Sequence, residues 1–197
     1  MERTLVLAKP DAVKRAIVGS IIKRFERAGL KLIGLKMLQA SKEQLSIHFP
    51  IDDISWIGGM GSKSLEIYRA NGMDPEEEFG TSDPIVIGRL ILGWNFEYLL
   101  SGPVVAMVLE GVRAITVVRK IIGDTIPAKA LPGTIRGDFS INSADFANST
   151  QCSCNNVVHA SGNPEEAQKE INLWFKEEEL SIYKRADEGV MFFNKIR

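Results

Sequence analysis

Apolar residues recur along the chain in two rhythms, one suited to strands and one to helices. Residues 3–8 (R-T-L-V-L-A) carry a short apolar run of buried-strand length. The run ends at Lys9-Pro10-Asp11, where Pro10 cannot continue a ladder and pushes Lys9 toward an extended backbone. Val18, Ile21, Ile22 and Phe25 then share one helical face, with Lys23, Arg24 and Arg27 opposite and Gly29 as the stop. Residues 30–38 mix apolar and lysine positions, as a half-exposed second strand does. Ser41-Lys42-Glu43-Gln44 reads as a capping box that opens a short helix toward Phe49. From Pro84 to Leu100 the spacing predicts a long helix with Val86, Leu90, Ile91, Trp94 and Tyr98 on one broad face. Ser101-Gly102-Pro103 breaks it. Residues 104–109 are nearly all apolar and predict a strand buried on both faces, and 112–122 a helix stopped by Gly123. Asn156-Val157-Val158-His159-Ala160 reads as a short buried strand. Asn163-Pro164-Glu165-Glu166 then caps and starts a last helix, which runs to about Phe175 with Ala167, Ile171 and Trp174 inward.

Residues 50–81 follow neither rhythm. Gly58, Gly59, Gly61, Gly72 and Gly80 fall there, and the stretch reads as a loop or helical insertion. Its G-G-M-G run lacks the spacing and the lysine of a phosphate-binding P-loop. Near the C-terminus Val190, Met191, Phe192 and Phe193 form an apolar tail that could pack on a neighbouring subunit. The alternation of strands and helices predicts an α/β (α+β) fold, one sheet covered by helices. Without repeat, low-complexity tract or linker, residues 1–197 read as a single domain.

Composition narrows the function classes. A chain of 197 residues, 45% hydrophobic and 25% charged, with net charge −1, has the balance of an ordinary globular domain and no field for nucleic acid. Anionic ligands must therefore be held by locally placed cations. No apolar run reaches membrane-spanning length, and Met1-Glu2-Arg3 leads into a strand, not a signal peptide. Cys152 and Cys154 lack zinc-site spacing and read as free thiols, which makes the cytoplasm the default compartment.

The chemistry gathers around His159, one of two histidines with His48. It lies where a strand ends and a small-residue turn leads into a helix, a position where α/β folds tend to place ligands. A buried histidine satisfied by a backbone partner would account for it alone. Upstream, however, Pro132-Gly133-Thr134-Ile135-Arg136-Gly137-Asp138 is a turn-rich loop with a guanidinium suited to phosphate. A histidine beside such a clamp suggests phosphoryl transfer with the imidazole as nucleophile.

P-G-T-I-R-G-D-F followed by N-x-x-H-x-S closely resembles the nucleoside diphosphate kinases, as do K-P-D near the N-terminus and S-G-P-V-V-A-M-V-L-E-G in the middle. The resemblance runs colinearly over roughly three quarters of the chain. It leaves two stretches, about 50–93 and 142–155, that look like insertions. It implies a ferredoxin-like βαββαβ core with a four-stranded antiparallel sheet, and transfer of the γ-phosphate of ATP to a nucleoside diphosphate by a ping-pong route through phosphohistidine. His159 matches the family's nucleophile and Glu170 the glutamate that orients it. Lys9, Arg119, Thr125 and Arg136 match phosphate ligands, with Lys9, Arg136 and Asn156 also near the ribose. Phe49 replaces the usual tyrosine. The base-stacking position counts back to Ile91, with Trp94 and Phe96 as alternatives. Gly162 stands where an acidic residue often follows the H-x-S. The resemblance further implies that Mg2+ arrives with the nucleotide phosphates and no dedicated metal ligands, that many bases are accepted, and that the protein is a homo-oligomer, a hexamer before a tetramer. Nucleoside tri- and diphosphates are the implied partners, with no membrane and no specific nucleic acid. A nucleotide-binding regulatory protein without turnover is the alternative, opposed by the complete residue set. An RNA-binding module is opposed by the neutral charge.

Overall fold

The computed structural model describes residues 1–192 of the chain. A four-stranded antiparallel sheet holds β1 (Glu2–Ala8), β2 (Lys31–Leu38), β3 (Val104–Gly111) and β4 (Val158–Ala160) in the order β2-β3-β1-β4. With the helix α2 (Val18–Arg27) between β1 and β2, and α7 (Ala114–Ile122) between β3 and β4, this is the ferredoxin-like core. The short α1 (Pro10–Lys14) precedes α2, and α3 (Lys42–His48), α4 (Ile54–Ala70), α5 (Pro75–Phe79) and α6 (Pro84–Leu100) join β2 to β3. Two further short helices, α8 (Ile135–Phe139) and α9 (Ala144–Ser149), lie before β4. The longer α10 (Pro164–Trp174) and the short α11 (Glu188–Phe192) follow it.

The central strand β1 is buried on both faces, because successive side chains alternate across the sheet. Val6 and Ala8 join Ile21, Phe25, Val118 and Ile122 on the α2/α7 face. Leu5 and Leu7 join Leu45, Leu99, Ile171 and Trp174 on the face covered by α3, α6 and α10. His159 pairs with Leu7 across the β1–β4 ladder, so both point to this second face.

Several predicted elements change length or type. Residues 50–81, read as a loop or helical insertion, take the helical form and contain a long helix, α4, capped by Asp53, which accepts from the Trp56 N–H at 3.0 Å. The glycines concealed it, since glycine is a poor helix former. The predicted turn-rich loop at 132–138 holds α8, whose Thr134 hydroxyl accepts from the Gly137 N–H at 3.1 Å. α7 starts at Ala114, two residues later than the apolar spacing suggests, after Arg113 at φ +50°. β4 loses its first two predicted residues because Val157 sits at φ +58°, an uncommon backbone for a β-branched side chain. Val190 and Met191 are exposed in α11, whereas the side chain of Phe192 and all of Phe193 lie outside the described residues.

Candidate active site

His159 is held from one side. Its Nε2 lies 2.7 Å from Glu170 Oε1, and the other oxygen of Glu170 accepts from the Ser161 hydroxyl at 2.6 Å. Glu170 reaches the strand end because Asn163 caps α10 at the Glu166 N–H and the helix then runs back along the sheet. With a buried carboxylate at Nε2, the neutral ring carries its proton there and leaves the Nδ1 lone pair available. Burial, then the charge of Lys9, holds the His159 pKa well below the usual imidazole range, so the ring is neutral at physiological pH. Burial raises the pKa of Glu170, partly offset by His48 and Ser161.

A cavity of about 240 Å³ opens beside His159. Lys9, Phe49, Arg119, Thr125, Arg136 and Asn156, all expected from the sequence, line it together with His159. Lys9 leaves the end of β1, donates to Asn156 Oδ1 at 2.7 Å, and lies over the Tyr98 ring at 5.1 Å. Arg136 is buried. Its guanidinium donates to the carbonyls of Asn156 (3.2 Å) and Val158 (2.8 Å) on either side of the Val157 kink, and to those of Gly123 and Asp124, each at 3.1 Å. It therefore staples the loop as well as supplying charge. Its pKa, lowered to about 10 by burial and by Arg119, still leaves it cationic at neutral pH. Asn156 donates to the Thr125 carbonyl at 2.9 Å, which ties together the loops flanking the cavity.

Ile91 is not at this cavity. It lines a second one of about 460 Å³, which also contains Trp94 and shares Lys9, Asn95, Thr125 and Asn156 with the first. Phe96 instead packs into the core, 5.6 Å from the ring of Phe49.

Beside the apolar Leu99 and Ala160, sequence reasoning missed four polar residues of the first cavity: His48, Asn95, Tyr98 and Glu166. His48 lies edge-on to His159 with ring centroids 4.7 Å apart, and its Nδ1 accepts from the Trp174 indole N–H at 3.3 Å. Burial and the neighbouring His159 push its pKa down to about 3. Nothing near His48 in sequence announces this, because α3 and β4 meet only through the fold. Asn95 and Tyr98 carry a weak signal, one helical turn apart on α6.

His48, His159 and Glu170 present ligand atoms within 4.8 Å of one another, the one such group among the described residues. Two are imidazoles and the carboxylate is already bonded, a poor match for a hard cation that prefers oxygen. Glu166, the carboxylate lining the cavity, accepts from the Gly162 N–H at 2.8 Å. The cavity is otherwise cationic and offers no oxygen cage, so a magnesium ion fits here only as part of a bound nucleotide.

The family model for nucleoside diphosphate kinase matches residues 2–53 and 92–180. It leaves out α4, α5 and the first part of α6, while 142–155 falls inside the matched range. A nucleoside diphosphate kinase of Pyrobaculum aerophilum is 48% identical over 180 residues, covering 91% of this chain and 98% of that protein. The nucleoside diphosphate kinase 3 of Danio rerio is 38% identical, covering 92% of this chain and 82% of the relative. The crystal structure of an NDP kinase from Pyrobaculum aerophilum superposes with a TM-score of 0.88 at 47% identity, covering 92% of this chain and 99% of the other. A Borrelia burgdorferi nucleoside-diphosphate kinase, solved as a transition-state mimic with vanadate and ADP, gives 0.76 at 36% identity, with coverage of 96% and 95%. The sheet order, the residues gathered around His159 and these likenesses agree, and the chain belongs to the nucleoside diphosphate kinase family.

Proposed function

We propose that His159 carries the phosphoryl group between two nucleotides. In the first half-reaction Nδ1 attacks the γ-phosphorus of a nucleoside triphosphate. The N–P bond forms as the bond to the β-phosphate oxygen breaks, and the diphosphate leaves. In the second half-reaction a terminal oxygen of another diphosphate attacks the phosphohistidine, and Nδ1 recovers its lone pair. One site serves both nucleotides, which is the basis of ping-pong kinetics. Glu170 holds the ring by Nε2 and stabilises the charge that develops there. Lys9, Arg119, Thr125 and Arg136 bind phosphate, and Asn156 with Lys9 bears the ribose. Phe49 walls the cleft beside His48. Most of the catalysis is positioning and charge stabilisation. Mg2+ enters with the phosphates and, when bound, neutralises charge on their oxygens.

The observation that carries this reading is the 2.7 Å contact from Nε2 to a buried carboxylate, beside a cavity lined by cations. Incubation with γ-labelled ATP and magnesium, without acceptor, tests it. The expected product is an acid-labile, alkali-stable label on His159. His159→Ala should remove label and transfer but keep nucleotide binding, and Glu170→Ala should slow transfer without ending labelling. Acid-stable label on Ser161, or full transfer by His159→Ala, would overturn the assignment.

Residues 1–197 are read as one domain, supported by two hydrophobic clusters on the faces of a single sheet. Cytoplasmic residence is supported by Cys152 and Cys154 both being free thiols. No helix among the described residues is long and apolar enough to cross a membrane.

A further inference from the structure

Tyr98 lies buried in the last turn of α6. Its hydroxyl donates to Asp11 Oδ1 at 2.5 Å, and the Lys9 ammonium sits over its ring, 5.1 Å from the centroid. One side chain thus engages both charged residues of the Lys9-Pro10-Asp11 turn. The backbone around it is fixed. The Tyr98 carbonyl accepts from the Ser101 N–H at 3.2 Å and from the Ser101 hydroxyl at 2.8 Å. Lys14 Nζ donates to the same hydroxyl oxygen at 3.4 Å, so α1 and α6 are joined there as well. Burial first, then the Asp11 carboxylate, holds the phenol protonated well above the usual phenol range, and at neutral pH it is a donor to Asp11.

We propose that Tyr98 is a positioning residue for phosphoryl transfer, whose ring face bears the Lys9 ammonium and keeps it a free cation for the nucleotide phosphate. The proposal rests on the phosphate-binding role given to Lys9 above. An ammonium has three N–H donors. Among the described residues Lys9 donates to one side chain, at Asn156 Oδ1. The ring draws the cation through its quadrupole and takes up no further N–H in the manner of a carboxylate. The remaining donors are left for phosphate oxygens. A carboxylate in place of the ring would neutralise the charge, and phosphate would have to displace it. Asp11 is the carboxylate at hand, two residues along the chain, and its bond to the Tyr98 hydroxyl holds it at the edge of the ring. The attraction of a ring face counts for more where water is excluded, and burial is the largest influence on the charge of Lys9.

The test compares Tyr98→Phe with Tyr98→Leu. Both release Asp11, and they differ in the ring alone. The nucleotide-free full chain is pulsed with acetic anhydride at a series of pH values on either side of about 8, the pKa of Lys9. Acetylation of Lys9, read by mass spectrometry, gives its pKa without any transfer step. That value should lie about one unit lower in Tyr98→Leu than in Tyr98→Phe, because loss of the ring removes a contact that favours the charged form. The alkaline limb of kcat/KM for phosphoenzyme formation should move down with it, and kcat/KM at neutral pH should be about tenfold lower in Tyr98→Leu than in Tyr98→Phe. Lys9 faces Asp11 of α1, Arg136 of α8, Cys154 of the loop before β4, His159 of β4 and His48 of α3. Burial keeps both imidazoles neutral and lifts the thiol to about 11, and Arg136 stays cationic up to about 10, so the limb near 8 belongs to Lys9. A tyrosine that only packs would lower the yield of active enzyme and leave the pKa of Lys9 in place. Tyr98→trifluorophenylalanine keeps the shape of Tyr98→Phe while draining the ring face, and it decides the case if Tyr98→Leu does not fold. Its Lys9 should also titrate below that of Tyr98→Phe. An equal Lys9 pKa in these variants would overturn the proposal. Failure of wild-type His159 to take label from ATP would overturn the transfer reading alone, and the acetylation profile would still decide the role of Tyr98.

Discussion

Lys9 has burial and the nearby charge of Arg136 acting against its cation, which lowers its pKa to about 8. Among the described residues, its one hydrogen bond to another side chain is to the neutral amide of Asn156. The charge is present below that value and lost above it, so phosphate binding by the free enzyme should weaken as pH rises through 8. His159 moves the opposite limb. Its pKa is held below the ordinary 6.5, so the nucleophile stays neutral as pH falls through that value. Once corrected for ionisation of the nucleotide, kcat/KM for phosphoenzyme formation should be flat from below pH 6.5 to about 8 and decline beyond. A rapid-quench pH profile checks this. An acid limb at 6.5 would mean that His159 titrates as an exposed imidazole. At this scale the sequence showed which groups were chemically able to act. It did not show that His48 would lie against His159, or that Arg136 would spend most of its N–H groups on backbone carbonyls, because both facts depend on partners distant in sequence.

Among the elements, α4 was the least legible and has the clearest physical explanation. Its glycines weaken the helical signal, yet Gly61 faces Gly88 of α6 where the two backbones touch. Alanine in a helix interior is normally favoured over glycine by about 1 kcal/mol. At Gly88 the sign should reverse, since a methyl group there overlaps the Ile57 carbonyl, and overpacking costs about 1–3 kcal/mol. Gly93, exposed on the same helix with nothing within 4 Å of an added Cβ, is the control. Gly88→Ala should lower stability in urea unfolding by about 1–2 kcal/mol, and Gly93→Ala should raise it by about 0.5–1 kcal/mol. Equal effects at the two positions would mean that the helices do not meet at Gly88. The strands and the helices that cover them were legible from apolar runs and caps, as at Ser41 and Asn163, each of which accepts a backbone N–H at its helix start. β4 was overextended because an apolar run does not reveal the left-handed backbone of Val157.

Over the whole molecule, β2 is an edge strand, and its Leu35 and Met37 are 50% and 62% exposed. An edge strand with apolar side chains is a liability unless something covers it. Ile141, on the loop before α9, is 96% exposed, and Val190 of α11 is 71% exposed. These surfaces are candidate contacts for the homo-oligomer that the family resemblance implies, a hexamer before a tetramer. Sedimentation at micromolar concentration should show that assembly, and Leu35→Lys with Met37→Lys should dissociate it. A stable wild-type monomer would refute it.

The sequence by itself determined the order along the chain of the four strands and of α2, α3, α6, α7 and the capped α10 after His159, and a set of phosphate-binding residue types. These are written in local periodicity and in short motifs whose spacing is fixed along the chain. The tertiary structure decided which of those residues share a cavity, that Glu170 grips Nε2 and leaves Nδ1 available, and that two segments separated along the chain line a second cavity beside the cleft. The reason is physical. Hydrogen bonds and packing act over a few ångströms in space, and contacts such as Asn148 to Ser64 or His48 to His159 exist only once the sheet and its covering helices have brought distant stretches together.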